Sequence, residues 1–301
     1  MKSLIIGSRG LVGSALKRKI SDAIEGVPVE PKKNTKQVYT DLTKYETLFK
    51  VFSNHRPDVV YLPAAIAHVD KCEESVGTDV TNVRGAITVL RLCESFGAKL
   101  VYFSSSYVFN GEKKEPYTIQ DNTCPINRYG IQKETVEKQI LQSESKYVIV
   151  RTVGVYGQER LNKNFAKQII HTIFAGRTVF VPNDQFMNPI LSDDLARVSI
   201  QLADKYQGLF HVAGDTCLSK YDFAIRIAKS FNLGYEKFIE PKTSDEMKQI
   251  AKRPKNGCLE CGGLSNLNIE IPSFEGGLIK FLASAFYAEP IGDMNEFQAR
   301  K

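Results

Sequence analysis

Short β-branched and aliphatic runs alternate with stretches whose apolar residues recur at helical spacing through the first half of the chain. That alternation predicts a parallel sheet connected by crossover helices. Leu4–Ile6 reads as a buried first strand and Leu11–Ile20 as the helix that follows it. Val27–Glu30 is expected as a second strand, weakened by Pro28, and Val38–Thr40 as a short third one. A helix at Lys44–Asn54 leads to the strand Asp58–Leu62, and one long helix is expected over Glu74–Phe96. Lys99–Ser104 is the next strand, ending in three serines, before a helix at Asn127–Gln142 and a strand at Tyr147–Arg151.

The second half is less regular. Helices are expected at Asn164–Ala175, Asp193–Ala203 and Tyr221–Phe231, with strands at Thr178–Val181 and Leu209–Ala213. Residues 238–263, rich in Lys, Pro and Gly, read as loops and caps, and 289–301 as a polar tail.

Composition and charge narrow the classes. The 301 residues suffice for one large or two modest domains. A hydrophobic share of 43% and a charged share of 25% describe an ordinary globular chain. The net charge of +6 is dispersed among carboxylates, without basic blocks or interleaved aromatics, so no nucleic-acid partner is expected. No apolar run reaches membrane length and none resembles a signal-peptide core, so no membrane partner is expected either. Six irregularly spaced cysteines point to a reducing, cytoplasmic setting rather than a disulfide framework. Cys258 and Cys261 form one C-x-x-C pair with no second pair or nearby histidines, so no metal site is expected. His55 and His68 stand alone and read as structural or solvated.

Directly after the first strand comes Gly7-Ser8-Arg9-Gly10-Leu11-Val12-Gly13. Gly7 permits a tight turn, Gly10 lets the backbone approach a pyrophosphate, and Gly13 allows the helix to pack on the strand. The helix start at Leu11 and Val12 supplies unpaired N–H groups and partial positive charge for phosphates. A strand before and a helix after make this a dinucleotide-binding turn in an α/β, Rossmann-type, doubly wound parallel sheet.

Tyr129 and Lys133 lie four residues apart in an expected helix, so the phenol and the ammonium share a face. A tyrosine with a pKa of about 10 is a poor acid–base group unless nearby positive charge lowers it. Lys133 is placed to provide that charge. Ser104, Ser105 and Ser106 end a strand, where such sheets bind ligands.

Together these features resemble the extended short-chain dehydrogenase/reductases and, among them, the dTDP-4-dehydrorhamnose reductases. The likeness continues through Ala64-Ala65, Val69-Asp70-Lys71, Asn82-Val83, the segment from Ser104 to Gly111, Pro125 to Gly130, Arg151-Thr152 and Asp193 to Ala196. The resemblance implies a dinucleotide-binding domain over 1–152. It implies a smaller, mainly substrate-binding α/β region over 153–301, some of whose segments return to the sheet. It also implies that Ser105 holds the substrate oxygen, that Tyr129 donates a proton to it, and that Lys133 holds the nicotinamide ribose and lowers the Tyr129 pKa. Asp41 and Leu42 fall where the family contacts adenine, and Ala64 and Ala65 where the chain passes under the cofactor. Ser106, Val108 and Asn188 fall on the sugar-facing side. Ser106 stands where the rhamnose-pathway enzymes carry Asp, Asn188 replaces a small residue, and the chain has no Trp to pack on the sugar. These departures leave the sugar open.

The cofactor has two readings. Glu30 lies about twenty residues past the glycines, where an acid binds the ribose 2′-hydroxyl of NAD(H). Arg9, with Lys32 and Lys33, is placed to pair instead with the 2′-phosphate of NADP(H), the preferred reading. The expected activity is reduction of a nucleotide-linked 4-keto-6-deoxy sugar. A dehydratase would want an acidic pair that Ser106-Tyr107 lacks. A nucleotide-sugar epimerase of the same superfamily is one alternative. A regulatory subunit resembling the methionine adenosyltransferase beta subunit is another, and family analogy allows a homodimer.

Overall fold

The computed structural model describes residues 1–159, 163–234 and 237–287. Six strands open the chain: β1 (Ser3–Ile6), β2 (Ile24–Val27), β3 (Gln37–Tyr39), β4 (Val59–Leu62), β5 (Lys99–Ser105) and β6 (Tyr147–Thr152). With the later strand Gly208–His211 they form one sheet in the order Gly208–His211, β6, β5, β4, β1, β2, β3. Every pairing in it is parallel.

Crossover helices cover both faces, which is why β1 and β4 are apolar at nearly every position. The described helices include α1 (Leu11–Lys19), α2 (Tyr45–His55), α3 (Val69–Glu74), α4 (Ala86–Phe96), α5 (Arg128–Leu141), α6 (Phe165–Phe174), α7 (Ser192–Lys205) and α8 (Lys220–Ser230), of which α6 and α8 pack on each other and on the later strand Val179–Pro182. Leu4, Ile6, Val60, Leu62, Leu100 and Ile149 pack on one face with Phe52, Leu90 and Val136. Ile5, Tyr61, Val101 and Val148 pack on the other with Leu16, Leu195 and Leu202. The order reverses between β1 and β4, so the carboxyl ends of β1, β4 and β5 border the crevice where such sheets bind ligands.

The second strand lies earlier than its sequence suggests, at Ile24–Val27 rather than Val27–Glu30. Gly26 masks it, yet only glycine fits there, since a Cβ would lie 2.7 Å from Thr40 Oγ1 and 3.0 Å from the Ile5 carbonyl. The expected helix over Glu74–Phe96 is broken. It becomes the end of α3, a π-helical turn at Val80–Gly85, and α4. The π turn presents Asn82, whose amide bonds both the N–H and the carbonyl of Ile66, at 2.8 and 3.0 Å, and Gln132 at 2.6 Å. Such turns gather at functional sites.

Within 238–263 the structure forms a strand, Ile239–Lys242, parallel to Val179–Pro182. The cysteine expectation is also corrected, because Cys217 and Cys258 are joined by a disulfide. Their separation of 41 residues carried no signal of the pairing. Cys72, Cys93, Cys124 and Cys261 are free thiols. No helix among the described residues is long and apolar enough to cross a membrane. The expected tail at 289–301 lies outside the described residues.

Candidate active site

The glycine turn sits at the carboxyl end of β1. Gly7 has φ +97°, and a Cβ there would lie 2.8 Å from that of Ala64. Ala64 donates its N–H to the Ile6 carbonyl, which fixes it beneath the turn. At Gly13 a Cβ would lie 2.1 Å from the Gly7 carbonyl, so the first turn of α1 rests directly on the loop. Gly10 differs: the nearest atom to its Cβ position is 3.5 Å away. Its missing side chain therefore keeps an approach open rather than relieving a clash. Gly10 caps α1 without a side-chain bond, and the first turn holds no acidic residue. The N–H groups at Leu11, Val12 and Gly13 are thus available to an anion, the chemistry a pyrophosphate requires.

Arg9 extends from this turn and donates to Gln37 Oε1 at 3.1 Å, an oxygen that also accepts the Lys32 N–H at 3.3 Å. Arg9 and Lys32 are thereby held on one amide beyond β2. Gln37 carries no sequence signal, because β3 must pair with β2 before it meets Arg9. Glu30 is exposed, three residues past the end of β2. Asp41 accepts both the N–H and the hydroxyl of Thr43, at 2.9 and 2.7 Å. These bonds help to hold its carboxyl below the usual range against the opposing effect of burial. Leu42 packs against Gly85, where a Cβ would meet its carbonyl at 2.6 Å. Ala65 follows Ala64 in the loop after β4, partly exposed.

Ser105 ends β5, and Tyr129 and Lys133 share a face of α5. Asn127 caps that helix, its side chain accepting the Gly130 N–H at 2.9 Å. Gly130 lets α5 press onto the turn after β5, since a Cβ there would lie 2.1 Å from the Tyr107 carbonyl. Tyr129 meets Tyr107 edge to face at 5.9 Å. Lys133, 5% exposed, donates to the Phe103 carbonyl at 2.7 Å, and its ammonium lies 5.7 Å from the centre of the Tyr129 ring.

Burial pushes the Tyr129 phenol above its ordinary pKa, assisted by Cys72 and Tyr107, with only the Ser105 hydroxyl acting to lower it. The expected lowering by Lys133 is therefore corrected, and the phenol stays protonated at neutral pH. Burial lowers Lys133 to about 8, against the pull of Glu137 and Cys72.

A cleft of about 860 Å³ is lined by Asn110 and Gly111, past the serines, but by none of Ser105, Tyr129 and Lys133, and its cations are Lys113, Lys114, Lys248, Lys252, Arg253 and Lys255. They outnumber its carboxylates, Glu112 and Asp245. Asn127 joins this wall to α5 by donating to the Lys252 carbonyl at 2.8 Å. Ser106 is fully buried with an unpartnered hydroxyl, and a Cβ on Gly257 would lie 3.1 Å from it. The basic stretch at 248–255 was visible in sequence only as loop residues.

Two expected sugar-facing residues are placed elsewhere. Val108 belongs to the apolar core with Phe109 and Tyr117. Asn188 is buried, donating to the carbonyls of Gly214 and Leu259 at 2.9 Å each and accepting the Leu259 N–H at 3.1 Å. Its amide stitches backbone segments together.

A family model described as the RmlD substrate binding domain matches residues 1–286. The dTDP-4-dehydrorhamnose reductase of Aggregatibacter actinomycetemcomitans is 30% identical over 232 residues, covering 73% of this chain and 78% of its own. The methionine adenosyltransferase 2 subunit beta of Rattus norvegicus is 29% identical over 278 residues, covering 88% and 82%. The crystal structure of dTDP-4-dehydrorhamnose reductase from Bacillus anthracis in complex with NADP aligns with TM-score 0.84 at 29% identity, over 94% of this chain and 100% of that one.

Proposed function

The chain belongs to the RmlD substrate binding domain family, and we propose that it is an NADPH-dependent reductase of a dTDP-linked 4-keto-6-deoxy sugar. The observation that carries this reading is the gathering of three groups toward the carboxyl ends of β1 and β5, the strands on either side of β4. The glycine turn follows β1, Ser105 ends β5, and Lys133 is bonded to β5 beside Tyr129. The family relationship and the reductases named above support the same reaction.

A reduced nicotinamide bound at the turn would supply the hydride. Gly7, Gly10 and the α1 N–H groups would hold its pyrophosphate, and Lys133 its ribose. Arg9 and Lys32, gathered on Gln37, favour a 2′-phosphate and hence NADPH over NADH. Glu30 offers a weaker case for NADH, standing exposed beyond the strand.

Tyr129, protonated at neutral pH, would donate its proton to the ketone oxygen, and the positive charge that this acid needs would come from Lys133 with the bound nicotinamide. The Ser105 hydroxyl would anchor that oxygen. The cationic cleft would take the nucleoside diphosphate, and a substrate region after residue 153 would fit that reading, since most of the cleft's lining follows it.

The relationship to the rat beta subunit supports a second reading, binding without turnover. One assay separates the two. Purified protein with NADPH and dTDP-4-dehydrorhamnose should lose nicotinamide absorbance. Cofactor binding without oxidation would favour the regulatory reading.

A further inference from the structure

One helical turn beyond Lys133 on α5 stands Glu137, 2% exposed, and facing it from β6 is Arg151, 4% exposed. The Arg151 Nε lies 3.0 and 3.2 Å from the two Glu137 oxygens, and one terminal nitrogen lies 2.7 Å from the second. The other terminal nitrogen has no hydrogen-bond partner, and the guanidinium sits 5.1 Å from the Phe109 ring centre. The register pairs Arg151 with Ser104 and Thr152 with Ser105, so this ion pair lies directly behind the reacting end of β5.

A buried ion pair of this kind is weak evidence for stability, since apolar side chains of similar volume often serve as well. What the pair does supply is a fixed negative charge near Lys133. The other groups facing that ammonium are the Phe103 carbonyl, the rings of Tyr102 and Tyr129 at 4.8 and 5.7 Å, and the Cys72 thiol from α3. None of them carries a formal charge at neutral pH. Residues four apart on a helix are neighbours, and an opposite charge at that range raises a lysine pKa. Arg151 pins the Glu137 carboxylate with its fork of N–H donors.

We propose that Glu137, held by Arg151, is a positioning residue that keeps the buried Lys133 ammonium charged and aimed at the cofactor side of Tyr129. The role rests on the reductase reading above, whereas the electrostatic coupling does not. Burial already brings Lys133 close to neutral pH, and Glu137 opposes that shift. Without the carboxylate, Lys133 would be largely uncharged at pH 7 and its grip on a ribose hydroxyl would weaken.

The direct test is a pH titration of the lysine side-chain nitrogens by NMR on ¹⁵N-lysine-labelled protein without cofactor. The Lys133 signal is identified by its loss in Lys133→Met. In Glu137→Gln the Lys133 acid constant should rise by about tenfold to a thousandfold, the usual effect of one neighbouring charge. The alkaline limb of the kcat profile should move down by the same amount, with NADPH affinity lowered in parallel. Because Glu137→Gln leaves a buried guanidinium unpaired, Glu137→Gln/Arg151→Met is made as well, removing both charges. It should show a rise in the same direction, smaller because the opposing charge of the guanidinium goes as well. A Lys133 midpoint unchanged in either folded variant overturns the proposal. A double variant that cannot fold overturns it too, since the pair would then serve the fold itself. Absence of turnover in the wild-type protein would instead count against the reductase reading, leaving the NMR result to be judged alone.

Discussion

The Gly7 carbonyl oxygen occupies the place a Cβ on Gly13 would need, at 2.1 Å, whereas at Gly10 nothing lies within 3.5 Å. Two glycines of one turn therefore answer to different demands. Gly13→Ala forces apart strand and helix and should destabilise the protein by about 1–3 kcal/mol, the range for overpacking. Gly10→Val should change stability by no more than about 1 kcal/mol yet abolish NADPH binding. Urea unfolding and cofactor fluorescence distinguish the two. Full NADPH affinity in Gly10→Val would remove the pyrophosphate from this turn.

Arg9 decides between the cofactors. Loss of its charge-assisted contact in Arg9→Ala should weaken NADPH binding by about 1–3 kcal/mol and leave NADH nearly untouched. Equal losses for both would move Arg9 away from the 2′-phosphate and return the choice to Glu30.

His211 reports on acid stability. It is buried against the Tyr117 carbonyl at 3.1 Å, and burial together with Arg151 lowers its pKa from 6.5 to about 3. Between those values the unfolded chain binds a proton that the folded one refuses. This contribution to stability is complete above pH 6.5 and is lost as pH falls toward 3. His211→Gln should flatten the stability profile across that window, as measured by denaturation at a series of pH values. An unchanged slope would mean that other groups set the acid limit.

Much of this was legible in the chain. The Gly7 to Gly13 spacing, the three serines closing a strand, and Tyr129 four residues before Lys133 each follow from local geometry, and the structure brings them to the carboxyl ends of β1 and β5, on either side of β4. What stayed hidden depends on contacts distant in sequence. Gln37 meets Arg9 only once β3 has paired with β2, and Glu137 meets Arg151 only through packing of α5 on β6. Asn188 falls on the sugar-facing side by its place in the family pattern, whereas burial commits its amide to backbone, which no local pattern shows. The π turn at Asn82 was missed because one extra residue hardly disturbs an apolar helical pattern.

The bond between Cys217 and Cys258 closes a loop of 41 residues and ties the segment beside Ser106 to the wall of the cationic cleft. Removing it should cost about 2–4 kcal/mol, mostly through the unfolded state. Unfolding curves with and without reductant, and of Cys217→Ser/Cys258→Ser, measure this cost. Coincident curves would show that the crosslink does not stabilise the chain.

The central claim is hydride delivery to a sugar carbonyl with Tyr129 as proton donor. The most direct measurement supplies NADPH deuterated at the transferable position with dTDP-4-dehydrorhamnose and locates the label in the product by NMR. One deuterium should appear at the sugar C4, with formation slowed about 10²–10⁴-fold in Tyr129→Phe while NADPH affinity holds. A product lacking deuterium at C4, or full turnover in Tyr129→Phe, would contradict the account.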